Sequence, residues 1–327
     1  MNKLAINGFG RIGRNIFRQI IDSPEFNVAI INDIAPKEYI VHALKYDSLM
    51  GIWERDIRLG NDDTILIGDK VVHLTHYKEI PKGLWERHGI WGVIESSGAY
   101  ASHSKSSHHI ANGASKVFIC APAADADKTV IMGVNEDVLS IKDNIISCGS
   151  CTSSAIAPVI KAFNLASADI KSVHILTVHP VTSNQSLIDT YHKDMRRARS
   201  PLDSIIPTTT TALGPLHILF PDIPMEGYAV RVPTINVALL DMKIHADIKG
   251  KLSEILSNPV LSDIIGRSQD ELVSKDFAGS KYSVVIDMPL LNTVGDIHRV
   301  VGWYDNEVGY SARVIDLIKY TYKLNKK

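Results

Sequence analysis

Short apolar runs alternate with amphipathic stretches along the first part of the chain. Leu4–Ile6 is an apolar run that stops at Gly8, and it predicts a buried parallel strand. From Arg11 onward isoleucine and phenylalanine recur at helical spacing, and Asn27–Ile31 is again rich in strand-forming residues. A strand, a glycine-rich turn, a helix and a second strand within about 30 residues make one βαβ unit.

The alternation continues as far as residue 150, and the pattern then changes. Val93–Glu95, Val117–Ile119 and Asn144–Ile146 predict further buried strands, with a helix over 108–112. Helical periodicity then becomes rarer, and longer strand-forming stretches follow at Val173–Val178, Ile235–Ile244, Ser283–Met288 and Arg299–Tyr304. We therefore expect two domains, a doubly wound α/β domain over 1–150 and an α+β domain with a mostly antiparallel sheet over 151–306.

Two further segments differ in residue pattern from the strands and helices described above. Residues 180–225 are polar and rich in Thr, Arg and Pro, which predicts a long loop. A long loop inside a compact domain is usually functional. Residues 307–324 are helical in pattern, with Val314, Leu317 and Ile318 on one face, and they predict a C-terminal helix.

The turn after the first strand fits the pattern G-x-G-x-x-G, with the residues Gly8, Phe9, Gly10, Arg11, Ile12 and Gly13. The first glycine permits a tight turn, the second lets the backbone approach a pyrophosphate, and the third lets helix and strand pack closely. Asp33 ends the second strand, where a carboxylate accepts hydrogen bonds from an adenosine ribose and repels the 2′-phosphate of NADP. An ordinary glycine-rich turn is the alternative. With strand, helix and acid in register, the pattern favours a Rossmann NAD-binding domain.

Composition narrows the range of functions. The chain has 327 residues, with 35 basic and 36 acidic side chains and a net charge of −1. A protein dedicated to nucleic acid or to an anionic membrane usually has a basic excess, so we expect neither partner. The three cysteines Cys120, Cys148 and Cys151 fit a reducing compartment. The sequence lacks a signal-peptide pattern and an apolar run of ~18 residues, so we expect a cytoplasmic protein.

Cys151 lies between a predicted strand and an apolar helical stretch that begins at Ala155. A helix N-terminus lowers the pKa of a thiol, and the small hydroxyl residues around Cys151 leave room for a substrate. The sequence therefore predicts a nucleophile, with a buried structural cysteine as the alternative. Cys148 and Cys151 also have the spacing of a redox pair, but thioredoxin-like chains are much shorter. A disulfide between them on mild oxidation requires Cα atoms within ~7 Å, which a strand running into a helix opposes.

His179 follows the strand-forming stretch 172–178 and is a candidate base, because it stands where a strand meets a loop. A structural histidine is the alternative, and the chain has 13 histidines. His103, His108 and His109 are grouped like metal ligands, but no carboxylate or cysteine completes a ligand set. We therefore expect no metal site.

Several stretches together resemble the phosphorylating glyceraldehyde-3-phosphate dehydrogenase family over essentially the whole length. They are Ile6–Arg14, Ser150–Thr152, Thr177–His179, Arg196–Arg199, Ile205–Thr208, Arg231–Thr234 and Trp303–Glu307. The resemblance implies an NAD-dependent enzyme that converts glyceraldehyde 3-phosphate, phosphate and NAD to 1,3-bisphosphoglycerate and NADH. The reaction would proceed through a hemithioacetal and a thioester on Cys151, with His179 as the base.

The resemblance also implies the remaining site residues. For the cofactor they are the glycine loop with Asn32, Asp33, Ser97, Gly98, Cys120, Asn306 and Tyr310. For the two phosphate groups they are Ser150, Thr152, Thr182, Arg197, Thr210, Thr211 and Arg231. It implies further that residues 180–205 form a tetramer-contact loop, that the protein is a homotetramer, and that helix 307–324 returns to the cofactor domain.

The chain departs from the family pattern at several positions. The family usually has Asn where Cys148 and Ser154 stand, Thr at Asn184, Gly at Thr211, and Ser or Thr at Cys120. The stretches 188–192 and 229–236 are closer to the erythrose-4-phosphate dehydrogenase branch, which is the alternative substrate class. A catalytically silent NAD-binding or moonlighting protein is the alternative from another class. The intact set of Cys151, His179 and Asn306 argues against it.

Overall fold

The computed structural model describes residues 1–183 and 185–326, so Asn184 lies outside the described residues. The chain forms two units, each drawn from separate parts of the sequence. Unit 1 consists of Met1–Met132, Glu136–Gly149 and Ser311–Lys327, and unit 2 consists of Gly133–Asn135 and Ser150–Tyr310. None of the helices in the described part of the chain is long and apolar enough to cross a membrane.

Unit 1 contains a nine-stranded sheet and a separate two-stranded ribbon. The strands are β1 (Asn2–Asn7), β2 (Phe26–Asn32), β3 (Tyr46–Asp47), β4 (Gly51–Ile52), β5 (Ile57–Leu59), β6 (Thr64–Ile67), β7 (Lys70–Thr75), β8 (Ile90–Glu95), β9 (Lys116–Ile119), β10 (Lys128–Thr129) and β11 (Ile145–Ser147). The sheet order is β10-β11-β9-β8-β1-β2-β7-β6-β5. Neighbours from β10 to β7 are parallel, and β6 and β5 are antiparallel.

The central strands of this sheet are apolar on both faces. All four residues of β9 are buried, as are Leu4–Asn7 of β1, which matches the burial of parallel strands between two helix layers. Unit 1 also contains the helices α1 (Arg11–Ile20), α2 (Lys37–Lys45), α3 (Leu84–His88) and α4 (His103–Ala111), which come before β9 in the chain. Phe17 of α1 and Phe118 of β9 are fully buried in the core.

Unit 2 contains an eight-stranded, mostly antiparallel sheet with helices. Its elements are α5 (Cys151–Leu165), β12 (Asp169–Pro180), β13 (Ile206–Thr208), α6 (Leu213–Leu219), β14 (Met225–Val232), β15 (Ala238–Asp247), α7 (Leu252–Ile255), β16 (Ile265–Ser268), β17 (Val284–Asp287), β18 (Asn292–Val294), β19 (Ile297–Tyr304) and the start of α8 (Val308–Leu324). The strand order is β13-β14-β12-β15-β19-β17-β16, with β18 paired to β19. The predicted fold class, a Rossmann-type α/β domain plus an α+β domain, is confirmed.

The structure differs from the sequence prediction at the start of β15. The apolar run from Ile235 predicts a strand, but the strand begins only at Ala238. Val237 has a φ of 63°, in the left-handed region that a β-branched residue rarely adopts. This local backbone conformation interrupts the run of extended residues.

Three other parts of the chain differ from the sequence prediction. The segment predicted as a continuous loop over 180–225 contains β13 and α6. The strands β5, β6 and β7, which form the antiparallel pairs β5–β6 and β6–β7, were not predicted. The helix expected over 108–112 begins earlier, at His103, because the Ser102 side chain accepts a hydrogen bond from the Lys105 backbone N–H and caps it.

Candidate active site

The glycine loop of unit 1 leaves no room for side chains at its first and third glycines. Gly8 has a φ of 89°, and a Cβ there would lie 2.4 Å from the Ser97 backbone. A Cβ on Gly13 would lie 2.3 Å from the Gly8 carbonyl oxygen. Both positions therefore require glycine for the backbone of β1 to pass close to α1 and to the segment after β8.

Gly10 has the opposite environment. Apart from its chain neighbours, no heavy atom of the described residues lies within 4 Å of a Cβ built on Gly10. Gly10 is also the N-cap of α1 and provides no side-chain hydrogen bond to the helix. The Arg11 guanidinium is paired with Asp47 at 3.2 Å, and Ile12 is only partly buried. An open space at an uncapped helix N-terminus fits the pyrophosphate of a dinucleotide.

Asp33 is joined to the same loop. One of its carboxylate oxygens accepts a hydrogen bond from the Phe9 backbone N–H at 2.6 Å, and the other accepts one from Ala35 N–H at 2.8 Å. The carboxylate is therefore held in place at the end of β2, beside the glycine loop. This arrangement fits the adenosine side of NAD.

A buried carboxylate that the sequence reading missed lies beneath this loop. Glu95 is 2% exposed, and its Oε2 accepts hydrogen bonds from Asn7 Nδ2 at 2.5 Å and His109 Nε2 at 3.1 Å. Its Oε1 accepts one from Ser97 N–H at 2.9 Å. Trp85 donates to His109 Nδ1, so the proton of His109 is on Nε2. Glu95 thus orients Ser97. In the sequence, the only indication of this role was the position of Glu95 at the end of a buried strand.

The remaining cofactor candidates of unit 1 differ in exposure. Asn32 is buried, and its amide is engaged with Asn7 and with the backbone of Tyr77. Gly98 has a φ of 74° and open space around its Cβ position. Cys120 is partly exposed. The structure therefore places Gly98 and Cys120 where a ligand can reach them, and Asn32 where it supports the loop.

The candidate nucleophile begins a helix in unit 2. Cys151 is the first residue of α5, and Ser150 and Ser153 form a reciprocal capping box there. Cys151 Sγ lies 3.7 Å from Nε2 of His179, near the end of β12. The capped helix start and the strand end thus bring a thiol and an imidazole into contact.

The pKa values at this pair differ from the expectation for Cys151. Burial raises the pKa of the Cys151 thiol, against the opposing effects of Thr152 and the Arg231 charge. The expected lowering at the helix N-terminus is therefore outweighed. Burial, and then the Arg231 charge, lowers the pKa of His179 to about 4. His179 is neutral at pH 7 and can accept a proton from the thiol.

Arg231 on β14 contacts the far side of the imidazole. Its Nη1 lies 2.6 Å from His179 Nδ1 and 2.9 Å from the Pro180 carbonyl oxygen, and Nδ1 lies 2.8 Å from that same oxygen. Nδ1 cannot donate to Pro180 and accept from Arg231 at once. Arg231 Nε is buried and has no hydrogen-bond partner in the part of the chain that the structure describes. The guanidinium therefore has donor capacity left for an anion.

A buried tyrosine also missed by the sequence reading supports the thiol. The Tyr304 hydroxyl lies 2.9 Å from Thr152 Oγ1 and 2.8 Å from Thr177 Oγ1. Tyr304 is 2% exposed, and burial raises its pKa. One hydroxyl thus joins α5, β12 and β19 beside Cys151. Its signal in the sequence was its position at the end of the last strand.

Asn306 and Tyr310 lie at the end of unit 2 and are both buried. Asn306 Oδ1 accepts a hydrogen bond from Val237 N–H at 3.1 Å, which orients its amide. The Asp305 carboxylate accepts hydrogen bonds from Glu307 and Val308 N–H and from Asn236 Nδ2. The segment before α8 is therefore fixed.

Most of the candidate anion-binding residues on the long loop form hydrogen bonds within that loop. Arg197 donates to Thr208 Oγ1 at 2.7 Å and to the Thr209 carbonyl oxygen at 2.9 Å. Thr210 Oγ1 accepts from the Ala212 N–H. Thr182 is partly buried, and Thr211 is exposed. The structure thus ties Arg197 to its own loop, while Thr152 is next to Cys151.

No group of three or more His, Cys, Asp or Glu residues that could hold a metal ion was found within residues 1–183 and 185–326. The histidine cluster of α4 is accounted for by other contacts. His103 Nε2 lies 3.2 Å from Asp127 Oδ1, and His108 Nε2 lies 3.0 Å from the Ile80 carbonyl oxygen. His109 is engaged with Glu95 and Trp85 as described above.

A glycine loop in unit 1 that fits a dinucleotide and a thiol–imidazole pair in unit 2 indicate a nicotinamide-dependent dehydrogenase with a candidate cysteine nucleophile. Comparison with known families agrees. The NAD binding domain of glyceraldehyde 3-phosphate dehydrogenase matches residues 2–103, and the C-terminal domain of glyceraldehyde 3-phosphate dehydrogenase matches residues 150–306.

Curated relatives match along nearly the whole chain. Glyceraldehyde-3-phosphate dehydrogenase 1 of Bacillus cereus is 36% identical over 330 residues, and that of Bacillus subtilis (strain 168) is 37% identical over 332 residues, each with 98% of both chains covered. Glyceraldehyde-3-phosphate dehydrogenase of Geobacillus stearothermophilus is 36% identical over 331 residues, with 97% of both covered. The chain belongs to the glyceraldehyde-3-phosphate dehydrogenase family.

Proposed function

We propose that this protein is an NAD-dependent, phosphorylating glyceraldehyde-3-phosphate dehydrogenase. The observation that carries the proposal is the contact of 3.7 Å between Cys151 Sγ at the start of α5 and His179 Nε2. Unit 1, with its glycine loop and Asp33, is assigned to NAD, and Asp33 favours NAD over NADP by repelling a 2′-phosphate. Unit 2 is assigned to the substrate, with Asn306 and Tyr310 on the nicotinamide side.

The reaction begins when His179 accepts the thiol proton and Cys151 attacks the aldehyde carbon, forming a hemithioacetal. The Cys151 backbone N–H and the protonated His179 then stabilise the developing oxyanion. When bound, NAD supplies the hydride acceptor. His179 gives the thiol proton to the oxyanion, so that the hemithioacetal carries a hydroxyl group, and the neutral imidazole takes the hydroxyl proton back as the hemithioacetal is oxidised to a thioester on Cys151. The thioester keeps much of the oxidation energy, so attack by inorganic phosphate releases an acyl phosphate.

Two phosphate groups must be held, that of the substrate and the attacking one. Arg231 is the proposed common element, because its Nε has no partner among the described residues and its Nη1 is shared between His179 and Pro180. The proposed subsite for the attacking phosphate is completed by Ser150, Thr152 and Thr210. The proposed subsite for the phosphate group of the substrate is completed by Thr182. Arg197 and Thr211 are weaker candidates on the long loop. An anion bound at Arg231 would draw the guanidinium away from His179 Nδ1. That nitrogen could then carry a proton and donate it to the Pro180 carbonyl oxygen.

The test is a spectroscopic assay of NADH formation with glyceraldehyde 3-phosphate, NAD and inorganic phosphate. Wild-type protein is expected to turn over, and omission of phosphate is expected to stop steady-state turnover. Cys151→Ser is expected to lose essentially all turnover while still binding NAD. Cys148→Ser, three residues away, is the matched control and is expected to keep it. Turnover retained in Cys151→Ser would exclude Cys151 as the nucleophile.

The comparisons do not favour the erythrose-4-phosphate alternative, since the relatives described above are named glyceraldehyde-3-phosphate dehydrogenases. The same assay with erythrose 4-phosphate gives the ratio of kcat/KM for the two aldehydes. A ratio in favour of glyceraldehyde 3-phosphate is expected. A reversed ratio would replace the substrate and leave the thiol chemistry as proposed.

We also propose a homotetramer in the cytoplasm, with residues 180–205 as the contact loop. The exposed apolar side chains of this loop support an interface, because Ile188 is 72%, Tyr191 89% and Met195 77% exposed in the single chain. Sedimentation equilibrium measures the mass directly. A monomer at micromolar concentration would contradict the proposed assembly.

A further inference from the structure

Two of the three cysteines occupy facing positions on neighbouring parallel strands of unit 1. β9 pairs with β11 in a register that sets Ile119 opposite Ser147, and the Cys148 N–H donates to the Ile119 carbonyl oxygen at 2.9 Å. Cys120 and Cys148 are the next residues after this pair. Neighbouring strands lie about 4.8 Å apart, and facing residues direct their side chains to the same face. That spacing lies within the Cα separations of ~4.4–6.8 Å that a disulfide accepts.

The two thiols contact each other and differ in access. The neighbouring Cys148 thiol is the largest cause of a raised pKa at Cys120, followed by burial, and Cys120 Sγ also lies 3.9 Å from the Phe118 carbonyl oxygen. Cys148 is 5% exposed, whereas Cys120 is partly exposed. Cys120 is therefore the more exposed residue of the pair, and we assign it the first reaction with a reagent.

We propose that Cys120 and Cys148 form a dithiol modification site that a peroxide closes to a disulfide. The Cys120 sulfur attacks the peroxide, the O–O bond breaks, and a sulfenic acid and one molecule of water form. The Cys148 sulfur then attacks the Cys120 sulfur, the S–S bond forms, and the S–O bond breaks with loss of a second water. Two thiols lose two electrons and two protons, and one hydrogen peroxide takes them up.

The site lies at the edge of the sheet where the cofactor is proposed to bind. The Cys120 N–H donates to the Glu95 carbonyl oxygen at 2.9 Å, and the Glu95 carboxylate holds the Ser97 N–H. Ligands of doubly wound sheets bind beyond the carboxyl ends of the strands, and Cys120 directly follows the carboxyl end of β9. A disulfide here would hold the Cys120 sulfur against Cys148 and remove its free thiol from that edge. This consequence, weaker NAD binding, rests on the proposed function, whereas the dithiol itself does not.

The experiment uses the Cys151→Ser protein, in which Cys120 and Cys148 are the only remaining thiols. Because the thiolate is the nucleophile, oxidation by hydrogen peroxide is run at mildly alkaline pH. Mass spectrometry of a tryptic digest without reduction is expected to find the peptides 117–128 and 143–161 joined. Dithiothreitol is expected to separate them.

The control variants are Cys120→Ser/Cys151→Ser and Cys148→Ser/Cys151→Ser, each with a single thiol. Both are expected to stop at a sulfenic acid that dimedone traps, without an intrachain bridge. Absence of the joined peptides in Cys151→Ser, or their presence only between chains, overturns the dithiol site. Wild-type protein digested in parallel shows whether Cys148 pairs with Cys151 instead, which also overturns it.

Calorimetric titration with NAD tests the consequence. The oxidised Cys151→Ser protein is expected to bind NAD at least about threefold more weakly than the reduced protein, with recovery after dithiothreitol. Unchanged affinity with a confirmed bridge overturns the link to the cofactor. Failure of the reduced protein to bind NAD would count against the proposed function, and the peptide mapping would still decide the dithiol site.

Discussion

At the scale of single residues, the candidate base depends on a balance between burial and charge. His179 is 4% exposed, and both its burial and the neighbouring Arg231 lower its pKa, while the Pro180 carbonyl oxygen opposes them. Because a pKa of about 4 lies well below 7, the imidazole is neutral at working pH and has a free nitrogen for the thiol proton. The same Arg231 charge counteracts the raised pKa of Cys151. One guanidinium thus affects both partners.

The first prediction concerns this guanidinium. Arg231→Gln removes the charge that lowers the pKa of His179, so that pKa is expected to rise from about 4 by roughly one unit, with burial still holding it below the free value. The measurement is an NMR titration of labelled histidine in a Cys151→Ser background, which removes the coupled thiol. Arg299→Gln, whose guanidinium pairs with Asp241, is the matched control. An identical titration in both variants would contradict the assigned cause.

The second prediction concerns the buried tyrosine. Tyr304→Phe removes the hydroxyl shared by Thr152 and Thr177 and leaves both threonine hydroxyls without that partner. The free energy of unfolding is expected to fall by about 1–3 kcal/mol. Chemical denaturation measures it, and Tyr228→Phe, 45% exposed, is expected to change it by less than about 0.5 kcal/mol. Equal stability of the two variants would mean that the hydroxyl network does not hold α5.

At the scale of elements, the strand–loop–helix start of unit 1 was predicted almost completely from the sequence. Glycine spacing, a buried strand and an acid in register together specify this element, because Gly8 and Gly13 each meet a steric requirement of the backbone. The thiol–imidazole contact was predicted mainly through family resemblance, since Cys151 and His179 are 28 residues apart in sequence and meet only through sheet packing. Glu95 and Tyr304 were missed because their only signal was a position at the end of a strand, whereas the hydrogen bonds that give them a role join residues far apart in sequence.

The start of β15 shows the same limit. The run Ile235–Val237 has strand propensity, yet Val237 takes a left-handed φ while its N–H donates to Asn306 Oδ1. A contact with a residue 69 positions later overrides the local preference. The strands β5–β7 lacked a strong pattern for another reason, because Leu59 and Val71 place apolar side chains in exposed positions.

The third prediction separates two glycines of the cofactor loop. Gly10→Ala places its Cβ in open space in an extended conformation, so stability is expected to change by less than about 0.5 kcal/mol, while NAD affinity is expected to fall at least tenfold. Gly13→Ala places its Cβ against the Gly8 carbonyl oxygen and is expected to lose about 1–3 kcal/mol of stability. Thermal unfolding and NAD titration measure both effects. Full NAD affinity in Gly10→Ala would show that the open space is not the pyrophosphate site.

At the scale of the whole molecule, the path of the chain connects the two units repeatedly. Residues 133–135 belong to unit 2 and interrupt unit 1, and the chain returns to unit 1 at Glu136 before leaving it again after Gly149. The last crossing lies inside α8, which begins at Val308 in unit 2 and continues into unit 1 from Ser311. Unfolding of unit 1 alone would therefore have to unwind a helix that begins in unit 2.

The fourth prediction follows from this chain path. We expect calorimetry to show one unfolding transition, and NAD at 100 times its Kd to stabilise it by about 2.7 kcal/mol. Because we expect the units to unfold together, NAD is expected to slow hydrogen exchange in the slowest amides of β12 and β15 as well as in β1 and β8. Gly10→Ala at the same NAD concentration is the control and is expected to show a much smaller shift. Two separate transitions, with only one moved by NAD, would show that unit 1 unfolds alone despite the continuous helix.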